Sequence, residues 1–304
     1  MDAFSALRKS RQDEARTFFT LYNPLVKVLL LGARGYLGEQ FLRLFPDALT
    51  PHVDIADRGA IATILDIEKP DTVINAAGKT GRPNVDWCEE HKEETIHSNV
   101  LGPLVLREEC ATRAIYWVHM SSGCVYEGDK GGAGFSEDDA PNFSGSFYSR
   151  SKAWSDQILS EVTDAKGGIL ILRIRMPFDG SRADRNLIMK LAKYPRVLDA
   201  ENSLTYLPDF LSAAKVLIAK RAKGVFNIVN PGVVSPFVIM QRYRAIVDSA
   251  HTFERLSIAQ LSEVARAGRS NCVLDTTKLK NAGVTLRPIA EAVDDALRQI
   301  AAAR

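Results

Sequence analysis

The sequence predicts an α/β fold built on a doubly wound parallel sheet, with a smaller C-terminal lobe beside it. Three observations carry that expectation. Short, continuous apolar runs alternate along the chain with longer segments of helical periodicity. The first run ends in a glycine-rich turn that opens a helical pattern. Downstream of the third run, a Tyr and a Lys fall four residues apart within another helical segment. Together these describe a Rossmann-type sheet with its ligand crevice at the carboxyl ends of the strands.

Residues 26–31 (VKVLLL) form the first run, and residues 39–45 the helix after the turn, closed by Pro46. The further runs are 72–76 (TVINA), 115–120 (IYWVHM), 169–174 (ILILRI) and 225–229 (VFNIV). Strands buried on both faces read as continuous apolar runs rather than as alternating ones. Residues 96–112, 148–162 and 186–193 carry the intervening helical patterns. After about residue 175, Pro177, Pro195, Pro208, Pro231 and Pro236 break the chain into short pieces. The expected division is an N-terminal extension over 1–24, an NAD(P)-binding domain over 25–175, and a mainly substrate-binding lobe over 176–304. The strand at 225–229 returns from that lobe to the main sheet. Residues 128–143 (GDKGGAGFSEDDAPNF) read as a functional surface loop, such as a lid.

The chain has 304 residues, of which 46% are hydrophobic and 25% charged, an ordinary globular composition. A net charge of +2, with no long basic run, argues against nucleic-acid binding. No apolar stretch approaches the ~18 residues of a membrane span. Cys88, Cys110, Cys124 and Cys272 form no CxxC pair and no ligand spacing, so neither a metal site nor a disulfide framework is expected. Reduced thiols in the cytoplasm are the default reading.

Gly32, Gly35 and Gly38 let the backbone approach a pyrophosphate, which the helix N-terminus then meets with free N–H groups. Asp54 lies in the loop expected near adenine, whereas Arg34 is placed to pair with a 2′-phosphate. The arginine favours NADPH, with NADH the alternative. Tyr148 and Lys152 share one helix face. An ammonium beside the phenol stabilises its anion and equips it to exchange a proton with a carbonyl oxygen. Ser121 and Ser122 end the preceding strand, where a hydroxyl can donate to the same oxygen. Asn75, in the NAAG turn, and Asn99 stand between the glycine loop and this pair.

Glycine loop, Ser and YxxxK in this order resemble the extended short-chain dehydrogenases/reductases, specifically their dTDP-4-dehydrorhamnose reductase branch. Residues 75–89 (NAAGKTGRPNVDWCE), 141–152 (PNFSGSFYSRSK), 172–177 (LRIRMP), 230–235 (NPGVVS) and 269–279 (RSNCVLDTTKL) are similar to the UDP-4-keto-6-deoxyglucose 3,5-epimerase/4-reductases. That resemblance implies UDP-L-rhamnose synthesis with NADPH. It implies Ser122, Tyr148 and Lys152 as the reductase triad. It adds Cys124 and Lys190 as the epimerase pair, although a buried Cys and an exposed helix Lys are the bland readings of those two. Cofactor contacts are implied at Gly32, Arg34, Gly35, Tyr36, Leu37, Gly38, Asn75, Ala76, Ala77, Asn99, Lys152 and Arg175. Substrate contacts are implied at Lys79, Arg82, Asn84, Trp87, Ser121, Asn186 and Arg269. The implied partners are a nucleotide-sugar substrate, a separate 4,6-dehydratase upstream, and a second copy in a homodimer. A monofunctional reductase and a non-catalytic NADP-binding regulatory subunit are the rival readings.

Overall fold

The computed structural model describes residues 26–82, 84–162 and 166–303. The extension read over 1–24 lies outside the described residues. β1 (Val28–Leu31) leads into α1 (Tyr36–Leu44), α2 (Arg58–Glu68) and β2 (Thr72–Asn75). Then come α3 (Trp87–Glu90), α4 (Lys92–Ile96), a π-turn (His97–Leu101) and α5 (Gly102–Thr112). β3 (Tyr116–Ser122), α6 (Phe147–Ser160) and β4 (Ile169–Ile174) follow. Beyond them lie α7 (Leu187–Leu191), β5 (Arg196–Leu198), α8 (Leu207–Ala219), β6 (Gly224–Asn227) and α9 (Pro236–Ile246). The chain ends with β7 (Glu254–Leu256), a 3₁₀ turn (Ile258–Glu263), α10 (Thr277–Asn281) and α11 (Ile289–Ala302).

β1, β2, β3, β4 and β6 form one parallel sheet in that order. Each of the five apolar runs therefore supplies a strand. Their side chains divide by parity, as the pleat requires. Val28, Leu30, Tyr116, Val118, Leu170 and Leu172 pack on one face against Phe41 of α1 and Phe210 and Leu217 of α8. Leu29, Leu31, Trp117, Ile169 and Ile171 pack on the other against Ile61 and Leu65 of α2, Leu106 of α5 and Leu159 of α6. Helices cover both faces, which is why these strands carry so few outward polar positions. A separate core gathers Ile188, Val197, Tyr206, Ile239, Val293 and Ile300 from the C-terminal half. Strands β5 and β7 pair beside it.

Two local expectations change. The helix after the glycine turn starts at Tyr36 rather than at residue 39, because Gly38 serves close packing inside the first turn. The 128–143 loop is not a free lid. Gly128 and Phe135 pair with Asn271, Val273 and Asp275 through backbone hydrogen bonds. Glu137 Oε1 also accepts from the Asn227 N–H at the end of β6, 2.8 Å away. Bonds to two distant segments hold this loop down.

A single charge interrupts the fourth apolar run. Arg173 is buried in β4, and its guanidinium reaches Asp156 of α6 at 3.4 Å and Asn227 of β6 at 3.2 Å. Both charged side chains are at most 4% exposed. Ser121 Oγ, on β3, donates to the same carboxylate at 2.5 Å. The Tyr126 ring lies against the guanidinium, 5.3 Å from its centroid. A buried charge without its partner is very costly, so this network fixes α6 over three strands of the sheet. Asp156→Ala is expected to cost about 3–5 kcal/mol of stability, read from the denaturant midpoint. Asp184→Ala, which breaks an exposed pair with Lys193, should leave that midpoint unchanged.

Candidate active site

The glycine turn forms a cradle at the carboxyl end of β1. Gly32 has φ +77°, and a Cβ there would lie 2.5 Å from the Ala77 nitrogen beyond β2. A Cβ on Gly38 would lie 2.1 Å from the Gly32 carbonyl oxygen. Only glycine allows the loop to close so tightly over the strand ends. Gly35 is the N-cap of α1 and no side chain caps that terminus. Its first-turn N–H groups are left for an anion. Arg34 is exposed within this loop. These features fit a dinucleotide pyrophosphate and a 2′-phosphate. Asp54, the alternative ribose ligand, instead pairs with His97 Nε2 at 3.0 Å.

The neighbouring strand ends carry the polar residues. Asn75 ends β2; its Oδ1 accepts from the Ala77 N–H at 3.0 Å, shaping the Ala76–Ala77 turn, and its Nδ2 meets His119 Nδ1 at 3.2 Å. The π-turn widens the helix at Asn99 and aims that side chain inward. Asn99 Oδ1 accepts from the Lys79 N–H at 2.8 Å, and Nδ2 donates to the Lys79 carbonyl and to Ser151 Oγ. It thus braces the loop after β2 against α6.

Ser122, Cys124, Tyr148 and Lys152 come together where β3 meets α6. Ser146 caps α6, accepting from the Ser149 N–H, so the helix starts just before Tyr148. Ser122 Oγ accepts from the Cys124 N–H at 3.1 Å, and its hydroxyl interacts with that of Tyr148. Burial is the main influence on the phenol and raises its pKa above the ordinary tyrosine value, aided by Cys124. Lys152 Nζ donates to the Met120 carbonyl at 3.0 Å, and burial lowers its pKa. The expected lowering of the Tyr148 pKa by Lys152 is therefore not what the protein alone provides. Tyr148 stands as a neutral phenol, the form that can give a proton to a ketone oxygen.

Several implied contacts are corrected. Ser121, 4% exposed, spends its hydroxyl on Asp156. Asn186 is the N-cap of α7; it accepts from the Ile188 N–H and donates to the Asp179 and Ser181 carbonyls. Arg175, 1% exposed, bonds Asn202, the Ser270 carbonyl and Cys124. All three side chains are buried and engaged within the protein. The Tyr36 ring is also turned in, its hydroxyl beside Asp179, which together with burial raises its pKa. The loop after β2 is more open. Lys79 Nζ lies 5.6 Å from the Trp87 ring centroid, Trp87 stacks on His91, and Asn84 Oδ1 accepts from the Asp86 N–H. Arg82 is exposed. Arg269 pairs with Asp86 at 2.9 Å and is a quarter exposed. Lys190 is half-buried on α7, and burial and Arg185 lower its pKa. Among the described residues it has no hydrogen bond to Cys124 or Tyr148.

Asp156, Arg173 and His119 stand outside the site residues expected from the sequence. Arg173 was detectable as a charge inside an otherwise apolar strand, and Asp156 as the residue one turn beyond Lys152. Nothing in the sequence marks His119. Among the described residues no group of His, Cys, Asp and Glu could hold a metal ion, and no helix is long and apolar enough to cross a membrane.

Gly38→Ala is expected to abolish NADPH binding in a fluorescence titration, since the new methyl occupies the space of the Gly32 carbonyl. His119 is buried and its pKa lies well below the ordinary histidine value through desolvation and the nearby Lys152. As pH falls below ~6.5, the unfolded chain takes up a proton there that the folded chain refuses, so stability is lost. His119→Asn should flatten the fall in denaturant midpoint between about pH 6.5 and 5. An unchanged slope would show that His119 titrates alike in both states.

The RmlD substrate-binding domain family matches residues 26–302. A bifunctional dTDP-4-dehydrorhamnose 3,5-epimerase/dTDP-4-dehydrorhamnose reductase of Arabidopsis thaliana is 40% identical over 245 residues, 79% of this chain and 80% of that protein. A trifunctional UDP-glucose 4,6-dehydratase/UDP-4-keto-6-deoxy-D-glucose 3,5-epimerase/UDP-4-keto-L-rhamnose-reductase of the same plant is 34% identical over 284 residues. That match spans 90% of this chain but 42% of the longer protein. The crystal structure of the UDP-rhamnose synthase from Acanthamoeba polyphaga mimivirus superposes with a TM-score of 0.84 at 29% identity, covering 90% of this chain and 99% of that one. With its glycine cradle and its Ser, Tyr and Lys side chains at the ends of a Rossmann-type sheet, the chain belongs to the RmlD substrate-binding domain family, an oxidoreductase family that includes dTDP-4-dehydrorhamnose reductases and the epimerase/reductases of rhamnose synthesis.

Proposed function

We propose that this protein is a bifunctional 3,5-epimerase and NADPH-dependent 4-keto reductase that converts UDP-4-keto-6-deoxy-D-glucose to UDP-L-rhamnose. The observation that carries the reading is the grouping of Ser122, Tyr148 and Lys152 with Cys124 two residues beyond the serine. A plain reductase needs only the first three. The cofactor is NADPH, held by Gly32, Gly35 and Gly38, with Arg34 toward the 2′-phosphate. When bound, it supplies the hydride that reaches carbon 4. Tyr148 donates the proton to the carbon-4 oxygen, Ser122 donates a hydrogen bond to that oxygen, and Lys152 orients the ribose.

Epimerisation uses the same ketone. Hydrogens on carbons 3 and 5 are acidic because the carbonyl delocalises the resulting anion. Ser122 and Tyr148 stabilise the enolate oxygen. Cys124 and Lys190 move the protons on and off the two carbons. Arg82 is assigned to the sugar or a phosphate, and Arg269 to the diphosphate. The keto-sugar is the product of a nucleotide-sugar 4,6-dehydratase. The four free cysteines suit a reducing compartment, and the reaction is placed in the cytoplasm. The protein is assigned as a homodimer in which a second copy covers the exposed Trp154 and Ile158, four residues apart on α6.

The test is turnover of UDP-4-keto-6-deoxyglucose, and of its dTDP analogue, with NADPH in heavy water, with the product read by NMR. The expected product is L-rhamno in configuration and deuterated at carbons 3 and 5. Reduction without deuterium at either carbon would leave a plain reductase. Tyr148→Phe should lower reduction by about 10²–10⁴-fold while NADPH still binds.

A further inference from the structure

Behind the crevice, the buried guanidinium of Arg175 lacks a carboxylate. Arg175 follows β4 and is 1% exposed. Its Nη1 donates to Cys124 Sγ at 3.0 Å. Nη2 donates to Asn202 Oδ1 and to the Ser270 carbonyl, and Nε has no partner. The backbone is held as well: the Arg175 N–H donates to Thr205 Oγ1, and its carbonyl accepts from the Thr205 N–H. Among the described residues no carboxylate lies within ion-pair reach of this guanidinium. The contrast with Arg173, two residues earlier and paired to Asp156, is plain. An uncompensated buried charge is expensive, and one that persists commonly has a charge to answer at some stage of the protein's work.

The group at the end of its fork is a sulfur, which carries such a charge whenever it exchanges a proton. Arg175 after β4, Tyr148 on α6 and Cys272 on the segment before α10 bear on the Cys124 thiol. Burial raises the pKa of both the phenol and the second thiol, which keeps them neutral. Cys272 is further committed as a donor to the Gly123 carbonyl, at 3.3 Å. Arg175 is therefore the full charge among the three.

We infer that Arg175 is a positioning residue for the epimerase step, fixing Cys124 and offsetting the negative charge on its sulfur. The inference rests on the epimerase reading of Cys124. When Cys124 takes a proton from carbon 3 or 5, the C–H pair of electrons moves into the enolate and the thiolate becomes a thiol. When it returns a proton, the enolate pair forms the new C–H bond and the thiolate reappears. Either way the sulfur passes through its anion, and the guanidinium lies against it throughout.

Deuterium incorporation at carbons 3 and 5 from heavy water, read by NMR alongside a fluorescence titration of NADPH, tests this in the holoenzyme. Exchange should slow about tenfold in Arg175→Lys, which keeps the charge but not the planar fork, and further in Arg175→Met. In both variants exchange should fall more than NADPH affinity does. If Arg175→Met does not melt cooperatively, Arg175→Lys decides. Exchange at the wild-type rate in Arg175→Lys, or an equal loss of exchange and of NADPH affinity, overturns the inference. Cys124→Ser separates it from the reading beneath: exchange at the wild-type rate removes Cys124 from epimerisation altogether. Lost exchange in Cys124→Ser together with wild-type exchange in Arg175→Lys removes only the role of Arg175.

Discussion

The buried pair between Asp156 and Arg173 governs the geometry of everything above it. Asp156 belongs to α6, two turns beyond Tyr148 and one beyond Lys152. Arg173 belongs to β4 and also reaches β6 through Asn227. Ser121 joins the same carboxylate from β3. The catalytic helix is thus bonded to three parallel strands at a depth where water cannot replace a lost partner. A helix held by apolar contacts alone can slide by fractions of an ångström. A helix held by a charge in a dry interior has one acceptable position. Proton transfer to a ketone needs that fixity, since its rate depends on sub-ångström placement of the donor.

Above this anchor, each strand end does a different job. β1 ends in glycines that admit a pyrophosphate. β2 ends in Asn75, which turns the chain toward the crevice. β3 ends in Ser122 and the Cys124 turn. The π-turn at His97–Leu101 supplies Asn99, which ties the loop after β2 to α6. The second half of the chain is linked to the cradle at Asp179. Its carboxylate receives Gln40 of α1 at 3.3 Å and Ser181 and Asn186 of its own loop. Cofactor loop and C-terminal half therefore share one buried acceptor, and the loop carrying α7 and Lys190 is referenced to the glycine turn rather than left to float.

The two arginines of the LRIRMP stretch show how similar residues two positions apart come to different ends. Both project from the end of β4 into the interior. Arg173 finds a carboxylate and becomes structural. Arg175 finds carbonyl oxygens and a thiol, and retains an unanswered charge beside the crevice. Nothing in their spacing distinguishes them. The difference arises because α6 brings Asp156 to one and the β3 turn brings Cys124 to the other.

The sequence alone determined the sheet, because five apolar runs separated by helical segments leave a parallel, doubly covered arrangement as the way to bury them. It also determined the glycine cradle and the Tyr148/Lys152 helix, whose signals are local: a strand, a turn, and two side chains four residues apart. The pinning of the 128–143 loop, the burial of Ser121, Asn186 and Arg175, the neutral state of Tyr148 and the Asp156–Arg173 anchor were decided only by tertiary structure. Each depends on a partner distant in sequence. Arg175 meets Asn202 and Ser270, Glu137 meets Asn227, and Asp156 meets Arg173. Desolvation, which sets the protonation of Tyr148, Lys152 and His119, depends on how deeply packing places a group. Local pattern specifies which face a residue lies on; only the assembled fold specifies how much water remains there and which charge is left to meet it.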